Sequence, residues 1–174
     1  MATLTAPTAS DYLELASWIA DAEQARRWAG PNLPYPFTAD ALEALLELPG
    51  INVSSFCLVD ARSMCGFGQF WRQPTPAALA STAAATTAAT VSAAIENSVH
   101  LGRIIISPHQ RGRGLGRALM EQLIAKAIEV TAASAITLRV YRSNLAAATL
   151  YSQLGFVAVD ALSNEELLFM VLRR

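Results

Sequence analysis

Cysteine, histidine and net charge are all scarce in this chain of 174 residues, and each shortage closes off a class of function. The two cysteines, Cys57 and Cys65, stand at a spacing that fits no metal-ligand motif, and both fall in segments that read as strands. Residues 1–7 are too short and too polar for a secretory signal. Buried free thiols in a reducing cytoplasm are therefore expected, with no metal site. Net charge is -1, from 13 basic and 14 acidic residues, so no general field for nucleic acid or a membrane surface exists.

Charge is missing altogether between Arg72 and Glu96, a window long enough on count alone to cross a bilayer. Its content is alanine and threonine, with Pro74 and Pro76 at its start, and these supply too little transfer energy for insertion. Residues 73–98 thus read as a low-complexity insertion between two strands, since a long surface connection adds little closure entropy. A chain of 174 residues buries one substantial core and would crowd two, so a single domain over residues 1–174 is expected.

What the chain does contain is concentrated after the insertion. Ile104, Ile105 and Ile106 form a β-branched run that reads as the end of a strand over 99–106. Arg111, Gly112, Arg113, Gly114, Leu115, Gly116 and Arg117 follow, a loop in which alternate residues lack a Cβ. From Leu115, apolar residues recur at Leu119, Leu123, Ala127 and Ile128, which is helical spacing. A strand, a glycine loop and a helix N-terminus in that order present backbone N–H groups and a favourable dipole to an anion. A Walker A loop would need Lys-Ser or Lys-Thr after Gly116, where Arg117 and Ala118 stand. The dinucleotide fingerprint would need a glycine at 117. An RNA-binding reading of the Arg-Gly-Arg-Gly run competes weakly, because the run is single and sits inside a strand–helix unit.

A second segment adds to the first. Residues 136–141 alternate as a strand, Asn144 is a good N-cap, and Gly155 is a natural residue to end the helix it opens. Asn144 and Tyr151 are seven residues apart, almost two turns, so they share a face about 10 Å apart along the axis. The Arg-x-x-Gly-x-Gly at Arg111, Gly114 and Gly116, together with the Asn144–Phe156 segment, resembles the Gcn5-related N-acetyltransferase (GNAT) family. The likeness is close over residues 99–159 and loose over the N-terminal half.

That resemblance implies a mixed, mostly antiparallel α/β sheet of about seven strands with helices on both faces. The 99–106 and 135–141 strands are parallel, joined by a crossover. It implies acetyl-coenzyme A as cosubstrate, with its diphosphate on residues 111–117 and its pantetheine and acetyl group along the backbone of Ile104–Ile106. Asn144 belongs to the same binding surface, and Gly102 fits a bulge that splays the strand. Tyr151 takes the role of the acid that protonates the departing thiolate, against the alternative of a core aromatic. Many relatives carry a glutamate eight residues before the proline that ends this strand. Counting back from Pro108 gives His100, a candidate base that competes with a reading as a locally satisfied packing residue. Relatives that acetylate a ribosomal protein N-terminus carry a glutamate five residues before the motif asparagine. Arg139 stands there instead, and a guanidinium cannot act as a base.

The remaining elements read as a strand over 3–6, helices over 10–20, 21–28 and 38–48, a hairpin over 52–71, and closing strands over 156–159 and 167–172. Trp18, Trp28, Tyr35 and Phe37 are candidate acceptor-lining residues, of which half or more are expected to be core. No acidic cluster singles out a polycationic acceptor, so a small-molecule amine, an amino-acid-like compound and a peptide N-terminus stay open. An N-acetyltransferase, as monomer or homodimer, is the leading reading. A coenzyme A-binding module without turnover is the other.

Overall fold

A computed structural model of the protein describes residues 1–72 and 97–173. Among the described residues seven strands form one sheet, in the order β1 (Thr3–Thr5), β2 (Val53–Asp60), β3 (Ser63–Arg72), β4 (Ser98–Ile106), β5 (Ala135–Tyr141), β7 (Leu167–Arg173) and β6 (Val157–Ala158). The described residues cluster into two compact units, Met1–Phe70 with Gly102–Ala125 and Trp71–Leu101 with Lys126–Arg174. Most of the expected insertion, residues 73–96, lies outside the described residues. Its expected last residue, Ser98, is corrected by the sheet: it opens β4 and pairs with Ala135.

In the first unit, β1 (Thr3–Thr5) runs antiparallel to β2 (Val53–Asp60). The hairpin to β3 (Ser63–Arg72) turns on Ala61 and Arg62, with φ of 48° and 71°. Two consecutive left-handed residues suit the right-handed strand twist of a tight hairpin. Helix α1 (Ala9–Ser17) starts where the Thr8 amide donates to Asp11 Oδ2 at 2.7 Å. It stops three residues short of expectation because Asp21 caps the next helix, α2 (Ala22–Ala29), accepting from the Gln24 amide at 2.8 Å. Helix α3 (Ala39–Leu45) follows Thr38, whose side chain makes no cap bond. It ends before Leu48 because Leu48 bridges Ile51 around Gly50, whose φ is 71°. Tyr12, Leu15, Trp18 and Leu42 from these helices bury against Cys57 and Phe67 of the sheet, forming this unit's core.

Strand β4 (Ser98–Ile106) and the long helix α4 (Leu115–Thr131) each begin in one unit and end in the other. In the second unit, β4 pairs in parallel with β5 (Ala135–Tyr141), as the crossover required. Helix α5 (Leu145–Gln153) follows, then β6 (Val157–Ala158) and β7 (Leu167–Arg173), which is antiparallel to both β5 and β6. The β4–β5 ladder holds only four pairs, ending at Leu101 with Leu138. No helix among the described residues is long and apolar enough to cross a membrane.

Candidate active site

The glycine loop takes the form its composition dictates. Gly112 and Gly114 both have φ of 76°, a region that penalises any side chain with a Cβ. Backbone bonds from the Arg117 and Ala118 amides to Gly114 O open helix α4. The amides of Leu115 and Gly116 precede that first bonded turn, at the positive end of a 17-residue helix. Arg111, Gly112, Arg113 and Gly114 are exposed around them. Arg111 Nε reaches back to Ile106 O at 3.4 Å, and Arg117 pairs with Glu121 at 3.4 Å. These exposed, partly shared cations set the sign of the local field, while the amides supply direction.

How α4 lies so close to the sheet depends on two residues that sequence reasoning passed over. A Cβ on Gly66 would fall 2.7 Å from Ile106 Cδ1 and 3.0 Å from Ile105 O. One on Gly68 would fall 2.5 Å from Leu123 Cδ1 and 2.8 Å from Ile104 Cδ1. Glycines two apart in a strand share one face, so this pair was a legible sign of close approach. They let the Ile104–Ile106 stretch and the helix after the loop pack on β3. Gly66→Val should therefore cost about 1–3 kcal/mol of stability by overpacking, read from the denaturant midpoint. A midpoint equal to that of the native protein would show that the packing yields without cost.

Gly102, expected to mark a bulge in β4, is not where the backbone leaves the strand region. The left-handed position is Arg103, with φ of 54°, while Gly102 has no positive φ.

His100 is 7% exposed, its Nδ1 and Thr137 Oγ1 share a hydrogen bond of 2.8 Å, and its ring lies 5.0 Å from Trp71 and 6.4 Å from Phe169. Burial, helped by the nearby Arg139 cation, lowers its pKa to about 3. Arg139 itself lies over the Phe169 ring at 5.7 Å. An imidazole this weakly basic is a poor acceptor for an ammonium proton, so its surroundings favour the packing role over the base role. The unfolded chain takes up this proton near pH ~6.5 and the native state only near pH 3, so stability is complete above the first value and declines as pH falls between them. The decline should approach ~1.4 kcal/mol per pH unit and be reduced in His100→Gln, measured by denaturant unfolding between pH 7 and 5. Equal slopes in the two proteins would mean that His100 is protonated in the fold.

Tyr151 is 7% exposed, its ring 6.1 Å from that of Phe156. Burial pushes its hydroxyl up to about 12, so it stays protonated through the physiological range. Asn144 holds the position its type suggested: Oδ1 accepts from the Ala147 amide at 3.3 Å and opens α5. Asn144 is exposed, and its Nδ2 carries two N–H donors besides that bond.

The four aromatic acceptor candidates divide. Trp18 lies in the core and Phe37 packs against it. Trp28 meets Phe67 edge-on at 6.2 Å and donates its indole N–H to Arg103 O at 2.8 Å. Tyr35 alone among the four is exposed, its hydroxyl donating to Ala20 O at 2.8 Å.

Comparison with known proteins agrees with this fold. Residues 22–156 match the model of the acetyltransferase (GNAT) family. Among solved structures, the aminoglycoside acetyltransferase AAC(6')-Ib in complex with coenzyme A superposes with a TM-score of 0.71 at 21% identity, over 100% of this chain and 95% of that one. Spermidine N-acetyltransferase from Vibrio cholerae, in complex with coenzyme A and spermine, gives 0.71 at 20% identity, over 99% and 95%. With the family model spanning loop, strand and Asn144 helix together, the chain belongs to the acetyltransferase (GNAT) family and is an acyltransferase that takes acetyl from acetyl-coenzyme A to an amino group.

Proposed function

We propose that the protein acetylates a primary amine of a small cationic molecule by direct attack in a ternary complex, with a peptide N-terminus as the less favoured acceptor. The observation that carries the reading is the loop itself: two left-handed glycines deliver the chain onto the start of α4, immediately beyond Ile104–Ile106. The diphosphate of acetyl-coenzyme A is assigned to the amides of residues 112–117, and the pantetheine and acetyl group to the backbone of Ile104–Ile106. Asn144 contributes a donor to the cosubstrate. The amine nitrogen attacks the thioester carbonyl, the C–N bond forms and the C–S bond breaks. Tyr151 donates its proton to the departing thiolate and recovers one from the nitrogen, which sheds a proton on becoming an amide. His100 is assigned to packing, and solvent takes the ammonium proton, which leaves the neutral, nucleophilic amine.

Charge supports a cationic acceptor. The first 50 residues hold seven carboxylates and two arginines, so the remainder of this chain of net charge -1 is basic. The carboxylates are spread over α1–α3 and the loops beside them rather than clustered, which is why no single motif announces them. Aminoglycosides and spermidine, the amines named for the structural neighbours, have this chemistry. The competing reading, a coenzyme A-binding module without turnover, draws on the weak basicity of His100. A panel of spermidine, kanamycin, a free amino acid and a short peptide, assayed by thiol release from acetyl-coenzyme A, decides between them. Turnover is expected with spermidine or kanamycin. Tight coenzyme A binding with no release in any case would leave only the binding module.

A further inference from the structure

We propose that Arg103 is a positioning residue that sets acceptor affinity by tying the N-terminal helices to the strand assigned to the acetyl group, an inference resting on the transferase reading above. Arg103 is a non-glycine residue held at φ 54°, a conformation that persists only where the surroundings over-determine it. The surroundings here include three hydrogen-bonding partners from three elements. Its Nη1 donates to Gln69 Oε1 of β3 at 2.7 Å and to Leu46 O, the C-cap of α3. A guanidinium at a helix C-terminus is also favoured by the helix dipole. Its own carbonyl accepts the indole N–H of Trp28, from α2, at 2.8 Å.

The network continues inward. Gln69 is 1% exposed and its Nε2 donates to Ser55 Oγ of β2 at 2.8 Å. One residue, directly preceding Ile104–Ile106, therefore gathers α2, α3 and β3. Those two helices carry Glu23, Asp40 and Glu43 and Tyr35 follows α2, so their placement relative to β4 sets where a cationic amine sits. The pyrophosphate loop makes none of these bonds. A rigid fork with several donors is suited to such a junction, and a flexible ammonium reproduces only part of it.

The test uses Arg103→Met, Arg103→Lys and Trp28→Phe in the full chain, with the best amine of the four-member panel and with coenzyme A. Arg103→Met should raise the amine KM at least about tenfold, equivalent to one lost hydrogen bond to a charged group, with kcat and coenzyme A affinity changed far less. Arg103→Lys should recover part of the loss. Trp28→Phe, which removes the indole N–H and leaves a smaller aromatic ring, should move KM in the same direction by a smaller factor. It also decides the matter should Arg103→Met not fold. An unchanged amine KM in a folded Arg103→Met, or in Trp28→Phe should that variant alone fold, overturns the proposal. So does a fall in coenzyme A affinity parallel to the rise in KM. A wild-type protein that binds coenzyme A and turns over none of the four amines overturns the underlying reading, and the proposal with it.

Discussion

Tyr151→Phe is expected to slow single-turnover acetyl transfer by about 10²–10⁴-fold, the usual worth of a positioned acid, while coenzyme A affinity changes little. The substitution removes one oxygen and keeps the ring that packs against Phe156. A hydroxyl lifted to about 12 is fully protonated at neutral pH, which is the state an acid needs. Against a thiol near ~8.5, complete transfer ahead of other bond changes would be uphill by roughly 5 kcal/mol. The proton is therefore expected to move as the C–S bond breaks, and the strongly basic phenolate to be reset by the nitrogen that has just bonded. Steady-state turnover limited by product release would hide part of the effect, so the chemical step is the quantity to measure. A chemical step at the wild-type rate in Tyr151→Phe would make the residue structural and leave the thiolate to solvent.

Gly114→Asp should abolish coenzyme A binding in calorimetry, through two additive causes. At φ 76° any Cβ is strained, although the space around Gly114 is open, so the fold itself should survive. A carboxylate there would also face the diphosphate. Like charges about 4 Å apart near a protein surface repel by ~4 kcal/mol, which is close to three orders of magnitude in affinity. Gly114→Asn separates the causes, because asparagine tolerates the left-handed region and adds no charge. Its affinity should lie between the two and respond much less to added salt than that of Gly114→Asp. An Asp variant that is folded and binds coenzyme A as the native protein does would remove the diphosphate from this loop.

The motifs legible in the sequence are those whose geometry is set within a few residues. Gly112 and Gly114 announce left-handed backbone because only glycine occupies it cheaply, and both have φ of 76°. Asn144 announces a helix start because its short amide can accept from the chain three residues on, as it does from Ala147. The Ala135–Tyr141 strand and the parallel crossover follow from periodicity and handedness in the same way. Helix ends were read less well: α1 and α3 stop early because Asp21 and the Gly50 turn compete for the same residues.

Tertiary structure decided whatever depends on partners distant in the chain. His100 carries the same imidazole whether it serves as a base or as packing. Its enclosure by Trp71, Thr137 and Phe169, none of them a sequence neighbour, lowers its pKa to about 3 and favours packing. Gly66 and Gly68 matter only because α4 and β4 approach them, and Arg103 only because Trp28, Leu46 and Gln69 converge on it. By itself, then, the sequence determined the left-handed glycine loop, the capped helix and the family. The protonation state of His100, the seating of α4 and the junction at Arg103 came from the fold, because desolvation, close packing and shared hydrogen bonds exist only once distant segments meet.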